Sequence, residues 1–177
     1  MQIFKLFYTE RVMPELNVEF IKGSNPEVFG IQVKPENYRE FMNSHYNLLR
    51  RYKVQQHIMS NYKFIQLIKS KSRFGIHIGD IKFTEEEDLV QTNNEMYLEL
   101  RKAISADDFN SVIECLQALD ADGYKISRIE CFTETGERIN VHYNGTISFS
   151  SSLETMEPYI KNSLLIDYLV KGPEVLH

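Results

Sequence analysis

Asp80-Ile81-Lys82 is the sequence element with the most explicit chemistry, because it matches half of a motif used by metal-dependent nucleases. There a strand-borne carboxylate holds a divalent cation and a lysine two residues on steers the attacking water. The reaction also needs an upstream acid, for which Glu40 and Glu36 are the candidates. No second acid flanks Asp80 apart from the run that begins at Glu85. A tripeptide of this kind arises often by chance, so a surface strand end is the first reading and a nuclease ranks third among the functions considered.

The other reactive side chains form weaker constellations. His142 is expected to lie across a hairpin from Cys131, and Cys115 could join them, but a zinc site needs three or four converging ligands. His45 falls on an apolar helical stripe, as a hydrogen-bonded core histidine does. The sequence contains no G-x-S-x-G, C-x-x-C, Walker or G-x-G-x-x-G pattern. The serines between Ser148 and Ser152 suit a strand-to-helix junction, where serine caps the first turn. The acids from Glu85 to Asp88 suit a helix N-terminus, where they complement the macrodipole. These observations lean away from an enzyme, and no metal, cofactor or catalytic residue is expected.

Charge patterning is more distinctive. Residues 34–73 hold nine Lys or Arg against two acids, so this segment is +7 within a chain of net charge −5, and the remainder is −12. No aspartate precedes Asp80. Four tyrosines, with Phe41 and Phe64, are interleaved with the bases. Arg39, Arg50, Arg51, Lys53, Lys63, Lys69, Lys71 and Arg73 are therefore the candidate binding residues for an anionic partner. A non-catalytic adaptor, inhibitor or immunity-type protein that contacts a protein partner is the leading reading. Nucleic-acid binding through the same segment is the alternative, although the overall acidity opposes generic wrapping of a polyanion. The bland counterpart is a solvated face neutralised by the acids at 85–99.

Composition sets the setting. A chain of 177 residues, 42% hydrophobic and 25% charged, can bury a sizeable core and is not wholly disordered. Two cysteines make no disulfide framework, and residues 1–5 lack the basic start and apolar run of a signal peptide. The expected location is a reducing cytoplasm, or a host-cell interior if the protein is viral. No membrane association is expected, because residues 163–170 are too short to span and contain Asp167.

The elements that must carry these residues follow from periodicity and turn chemistry. Strands are predicted over residues 3–8, 16–21 and 29–33. Pro35 opens a helix that runs to about residue 60, with Tyr38, Phe41, Met42, His45, Leu49 and Tyr52 as its apolar stripe. A basic hairpin over 63–69 and 74–83 comes next, with a longer helix as the alternative. Thr84 to Glu87 reads as a capping box for a helix burying Leu89, Met96, Leu100 and Ile104. Asp107-Asp108 caps another helix, which Gly123 ends. Residues 125–150 predict a three-stranded meander, with a type I′ turn at Asn144-Gly145 and a type II′ turn at Gly136-Glu137. That choice puts Phe132, Ile139, Val141 and Tyr143 on one face, and Ile129, Cys131, His142, Ile147 and Phe149 on the other. A closing helix spans 156–171, with Pro158 in its first turn and Gly172-Pro173 as its stop. The expected fold is α+β: N-terminal antiparallel strands, central helices, a C-terminal three-stranded antiparallel meander and a closing helix, in a single domain over 1–177.

Overall fold

A computed structural model describes residues 1–11, 20–34 and 37–176 of the chain. Its elements are α+β, and its contacts divide the chain into two compact units, residues 1–58 with 144–177 and residues 59–143. The first and third N-terminal strands, the helix that Gly123 ends and the meander strands occur where the residue pattern predicts them. Pro14, Pro35, Glu36 and most of the predicted second strand lie outside the described residues.

The first unit is built on β1 (Gln2–Tyr8). One edge of β1 pairs antiparallel with β3 (Val28–Gln32), which in turn pairs with β2 (Phe20–Lys22). The other edge is shared by two strands. β8 (Thr146–Phe149) pairs with Gln2 to Lys5, and the short β4 (Gln55–Gln56) pairs with Phe7 and Tyr8. At the changeover, Leu6 donates its N–H to the Gly145 carbonyl at 2.9 Å and accepts from the His57 N–H at 3.1 Å. Phe7, Phe29, Ile31 and Val33 form an apolar cluster that receives Tyr38, Phe41 and Met42 of α1 (Tyr38–Arg51). Helix α1 ends sooner than periodicity suggests. Tyr52 closes it, Lys53 turns left-handed at φ 51°, and the chain enters β4.

The closing helix is two helices, α6 (Leu153–Ser163) and α7 (Leu165–Lys171), broken at Leu164 with φ 59°. Pro158 therefore lies inside α6 rather than in the first turn of a single helix. The break accompanies a polar anchor that periodicity does not reveal. Asp167, 1% exposed, accepts backbone N–H groups from Ser24 at 2.9 Å and Asn25 at 2.7 Å. A buried carboxylate needs such donors, and these two fix the turn between β2 and β3.

The second unit holds α2 (Asn61–Lys69), β5 (Ile76–Phe83), α3 (Glu86–Gln91), α4 (Glu95–Ser105), α5 (Phe109–Ala121), β6 (Ile126–Thr133) and β7 (Arg138–His142). Three sequence expectations are corrected here. Residues 63–69 are helical rather than the first strand of a hairpin. The Ser60 side chain caps the helix by accepting from the Lys63 N–H, and Phe64, Ile65, Leu67 and Ile68 are buried at helical spacing. The capping box at Thr84 does not form. Thr84 instead donates its N–H to the Lys125 carbonyl, and Glu85 accepts from the Lys125 N–H, so both residues are committed to the neighbouring chain. The expected helix over these residues is split, because Asn93 turns left-handed and Asn94 caps α4 through Tyr97 N–H.

The hairpin register is a fourth correction. Thr133 N–H donates to the Glu137 carbonyl and Gly136 N–H to the Thr133 carbonyl, so the turn is longer than the two residues expected at Gly136-Glu137. Cys131 consequently faces Ile139, and His142 faces Arg128. Moving the register by an odd number of residues exchanges faces. Ile129, Cys131, Ile139 and Val141 are buried together, while Phe132 is half-buried on the opposite side. Phe132 lies against Gly79, where an added Cβ would approach its ring at 2.4 Å.

Lys5 is the most unusual core residue. It is buried, and its Nζ donates to the His57 carbonyl at 2.8 Å and to the Asn144 carbonyl. Burial pushes its pKa down from 10.5 to about 8. The unfolded chain then holds more protons than the folded one between about pH 8 and 10.5. Stability carries the full cost of the buried charge below that window and recovers as the pH rises through it. Chemical denaturation of the wild type should show a gain on the order of 1 kcal/mol per pH unit in this window, relative to Lys5→Met. Parallel profiles for the two proteins would refute the assignment.

Candidate functional site

Helix α1 presents two unlike faces. Its apolar residues pack on the cluster around Phe7 and Ile31, and Leu49 is buried. His45 completes the inner face by stacking on Phe41, with ring centroids 4.4 Å apart, and its Nδ1 lies 3.0 Å from the Phe41 carbonyl. At 3.6 residues per turn, Arg39, Asn43, Tyr46 and Arg50 fall within an arc of about 60° on the other side. All four are exposed. Tyr46 is 58% exposed, so a large aromatic ring stands in solvent between two guanidinium groups. Arg51 is also exposed and widens the basic face beyond Arg50.

Helix electrostatics do not account for this stripe. Arg50 and Arg51 occupy the last turn, where cations complement the macrodipole. Arg39 lies in the first turn, where the same dipole disfavours a cation, and no ion pair among the described residues engages it. Periodicity on the inner face locates α1 but does not single out Tyr46. Its spacing from Arg39 and Arg50, at i+7 and i−4, is the signal that could have found it.

The remaining candidate bases divide among other environments. Lys53 is exposed and pairs with Glu10 at 3.0 Å. Lys63 is half-buried on α2, and burial lowers its pKa. Lys69 is exposed in the last turn of α2. Lys71 places its Nζ 3.4 Å from the centroid of the Phe109 ring, a cation–π contact within the molecule. Arg73 is exposed on the following 3-10 turn. Arg39, Arg50, Arg51 and Lys53 belong to the first unit, and Lys63, Lys69, Lys71 and Arg73 to the second. The linear +7 segment is thus carried by two units, and α1 brings Arg39 and Arg50 onto one helical face with an exposed aromatic.

Asp80 and Lys82 are in an ion-pair network, and the acids next to them, Glu86 and the cross-strand Glu130, are paired with Lys82 and Arg138. Asp80 accepts from the Arg101 guanidinium and lies 3.5 Å from the Lys82 ammonium. Lys82 also pairs with Glu86 at 2.9 Å, and Tyr97 donates its hydroxyl to Glu86 at 2.8 Å. Burial pushes the Asp80 carboxyl up, but the bond and charge of Arg101, with Lys82, outweigh it and hold the group below the usual carboxylate range. Glu40, proposed upstream as its partner, belongs to the other unit. Among the described residues, no three His, Cys, Asp or Glu side chains gather as a metal site. Cys131 is buried with its pKa pushed up to about 12, and burial raises that of Cys115 as well, so neither thiol is primed as a nucleophile.

No family model, curated protein or solved structure matches the chain. The functional reading therefore rests on its own residues.

The Asp80 network makes a pH-dependent prediction. A carboxyl with a depressed folded pKa contributes stability above its ordinary pKa and loses it as the pH falls through the folded value. Asp80→Asn should therefore destabilise the protein by about 1 kcal/mol at neutral pH, a modest figure because Arg101 is partly solvated. The difference from wild type should close at acid pH. Denaturant titrations at neutral and acid pH test this, and a loss independent of pH would point to packing instead.

Proposed function

We propose that this protein is a non-catalytic binding protein, an adaptor, inhibitor or immunity-type module, whose α1 stripe docks on an acidic face of a protein partner. The observation that carries the reading is Tyr46, 58% exposed between Arg39 and Arg50 on the side of α1 opposite the core. Tyr and Arg dominate the energetics of protein interfaces, because each contributes a large contact area together with directed polar groups. Arg39 has no role in its own helix that would explain a cation in the first turn.

Charge favours an acidic partner. The stripe and Arg51 supply three guanidinium groups, and Glu40 is the one acid within α1. The first unit as a whole is electrically balanced, with ten bases and ten acids, so the basic character is local. Single-stranded nucleic acid would call for several exposed aromatic rings along a basic track. Here Tyr38 and Phe41 are turned onto the core, and Tyr46 is the exposed ring of α1. Among the described residues no helix is long and apolar enough to cross a membrane. Two buried free thiols fit a reducing compartment, so a cytoplasmic location is proposed with the function.

The test combines Arg39→Glu, Tyr46→Ala and Arg50→Glu in one variant and compares it with wild type in affinity capture from a cell extract. All three positions are exposed, so each substitution should change the unfolding free energy by no more than about 0.5 kcal/mol. A partner retained by wild type should be lost by the variant and released from wild type by added salt. Titration with a labelled single-stranded oligonucleotide runs in parallel. A steep salt slope removed by the same substitutions would transfer the stripe to nucleic acid. Equal capture by variant and wild type would defeat the proposal.

A further inference from the structure

The second unit contains a cavity of about 650 Å³ whose lining combines acids, phenols and an apolar floor. Pockets of this size suit small molecules or a single inserted side chain. Met59 and Ile126, both buried, supply apolar wall, while Tyr62 and Tyr143 stand at the surface, 65% and 54% exposed. Glu85 and Asp120 supply negative charge.

The acids are held rather than loose. Glu85 accepts the Lys125 backbone N–H through one carboxylate oxygen at 3.1 Å. Asp120 accepts from the Asn61 amide through one oxygen at 2.5 Å. Asn61 is itself fixed, donating to the Tyr124 carbonyl at 2.8 Å and accepting from the Ile126 N–H at 2.8 Å. Each carboxylate therefore spends one oxygen on orientation and keeps the other for a donor. Lys125 also lines the cavity, so its fixed charge is −1 once both acids are ionised.

We propose that this cavity binds an alkylammonium ion, a primary amine on an apolar stem. Three ammonium protons can be shared among Glu85, Asp120 and a phenolic oxygen, and the two tyrosine faces favour a cation. The methylene stem covers Met59 and Ile126, so both ends of the ligand find complementary surface. A free diamine and a peptide lysine side chain carry the same group. The site is independent of the α1 stripe in residues and in the charge it selects.

Calorimetric titration with 1,5-diaminopentane, with pentanoate as the anionic control, tests the proposal directly. Saturable binding of one diamine per chain is expected, with none for pentanoate. Tyr143→Ala and Asp120→Asn should each weaken it about tenfold or more, as loss of a cation–π contact or a charged hydrogen bond does. Thermal unfolding of each variant checks its fold. Should Asp120→Asn unfold, Tyr143→Ala decides alone, because its side chain is exposed. A lysine-containing tripeptide binding more tightly than the diamine would assign the site to peptides, and the reverse order to free amines. Absence of saturable diamine binding, binding of pentanoate at equal strength, or binding unaffected by Tyr143→Ala would overturn the proposal.

Discussion

A buried lysine organises the first unit. The chain leaves that unit after Ile58 and returns to it at Asn144, and the Lys5 ammonium bonds to the carbonyls of His57 and Asn144, next to both crossings. The adjoining Leu6 engages both segments through its backbone. An apolar residue at Lys5 would remove its protons from both carbonyls, at a greater cost at buried His57 than at exposed Asn144. Gly145 belongs to the same constraint. Its φ is +74°, and an added Cβ would come within 1.9 Å of the His57 carbonyl oxygen. Backbone geometry at Gly145 and the Lys5 side chain thus meet at the same His57 carbonyl.

The position of α1 follows from that arrangement. In the chain α1 lies between β3 and β4, and both strands pair with β1 at Phe7 and Tyr8. The chain leaves β1 at Gln32, opposite Phe4, and rejoins it after the helix at Gln55 and Gln56, opposite Tyr8 and Phe7, so the helix is tethered at each end to one strand. Tyr38 adds a lateral tie by donating its hydroxyl to Gln56 at 2.5 Å. With the inner face committed to Phe7, Phe29, Ile31 and Val33, helical geometry leaves Arg39, Tyr46 and Arg50 nowhere to point but outward. A rigidly held helix loses little freedom when its outer face meets a partner, and this pre-organisation favours affinity.

The sequence was legible wherever one local signal was sufficient. The Asp108 cap, Gly123 after α5, the β-rich strands and the apolar stripe of α1 all lie where turn chemistry and periodicity put them. Errors arose where a tertiary bond competed with a local preference. Thr84 and Glu85 have the composition of a helix start, yet both bond to Lys125, about forty residues away in the chain. Gly136 suited a two-residue turn, but Thr133 closes a longer loop with its backbone and with a hydroxyl that accepts from the Glu137 N–H. Residues 63–69 were ambiguous because an apolar run with interspersed bases satisfies both periods, and the Ser60 cap decides for helix. Asp167 gave no local sign of its role, since its donors at Ser24 and Asn25 are contributed by distant residues.

The proposed binding face illustrates the difference between a charge count and a charged surface. A window from 34 to 73 sums bases that the fold sends to separate fates: an ion pair for Lys53, desolvation for Lys63, an aromatic ring for Lys71. A cation already paired within the molecule has less to offer a new anion, because that interaction must first be lost, and a half-buried one presents less of itself to a partner. Arg39 and Arg50 differ in being eleven residues apart on one helix, about three full turns, with Tyr46 between them and solvent around all three. What distinguishes the proposed docking surface is therefore helical phase together with the absence of an internal partner among the described residues. Net segment charge carries neither, since it is unchanged by any rearrangement of the same residues.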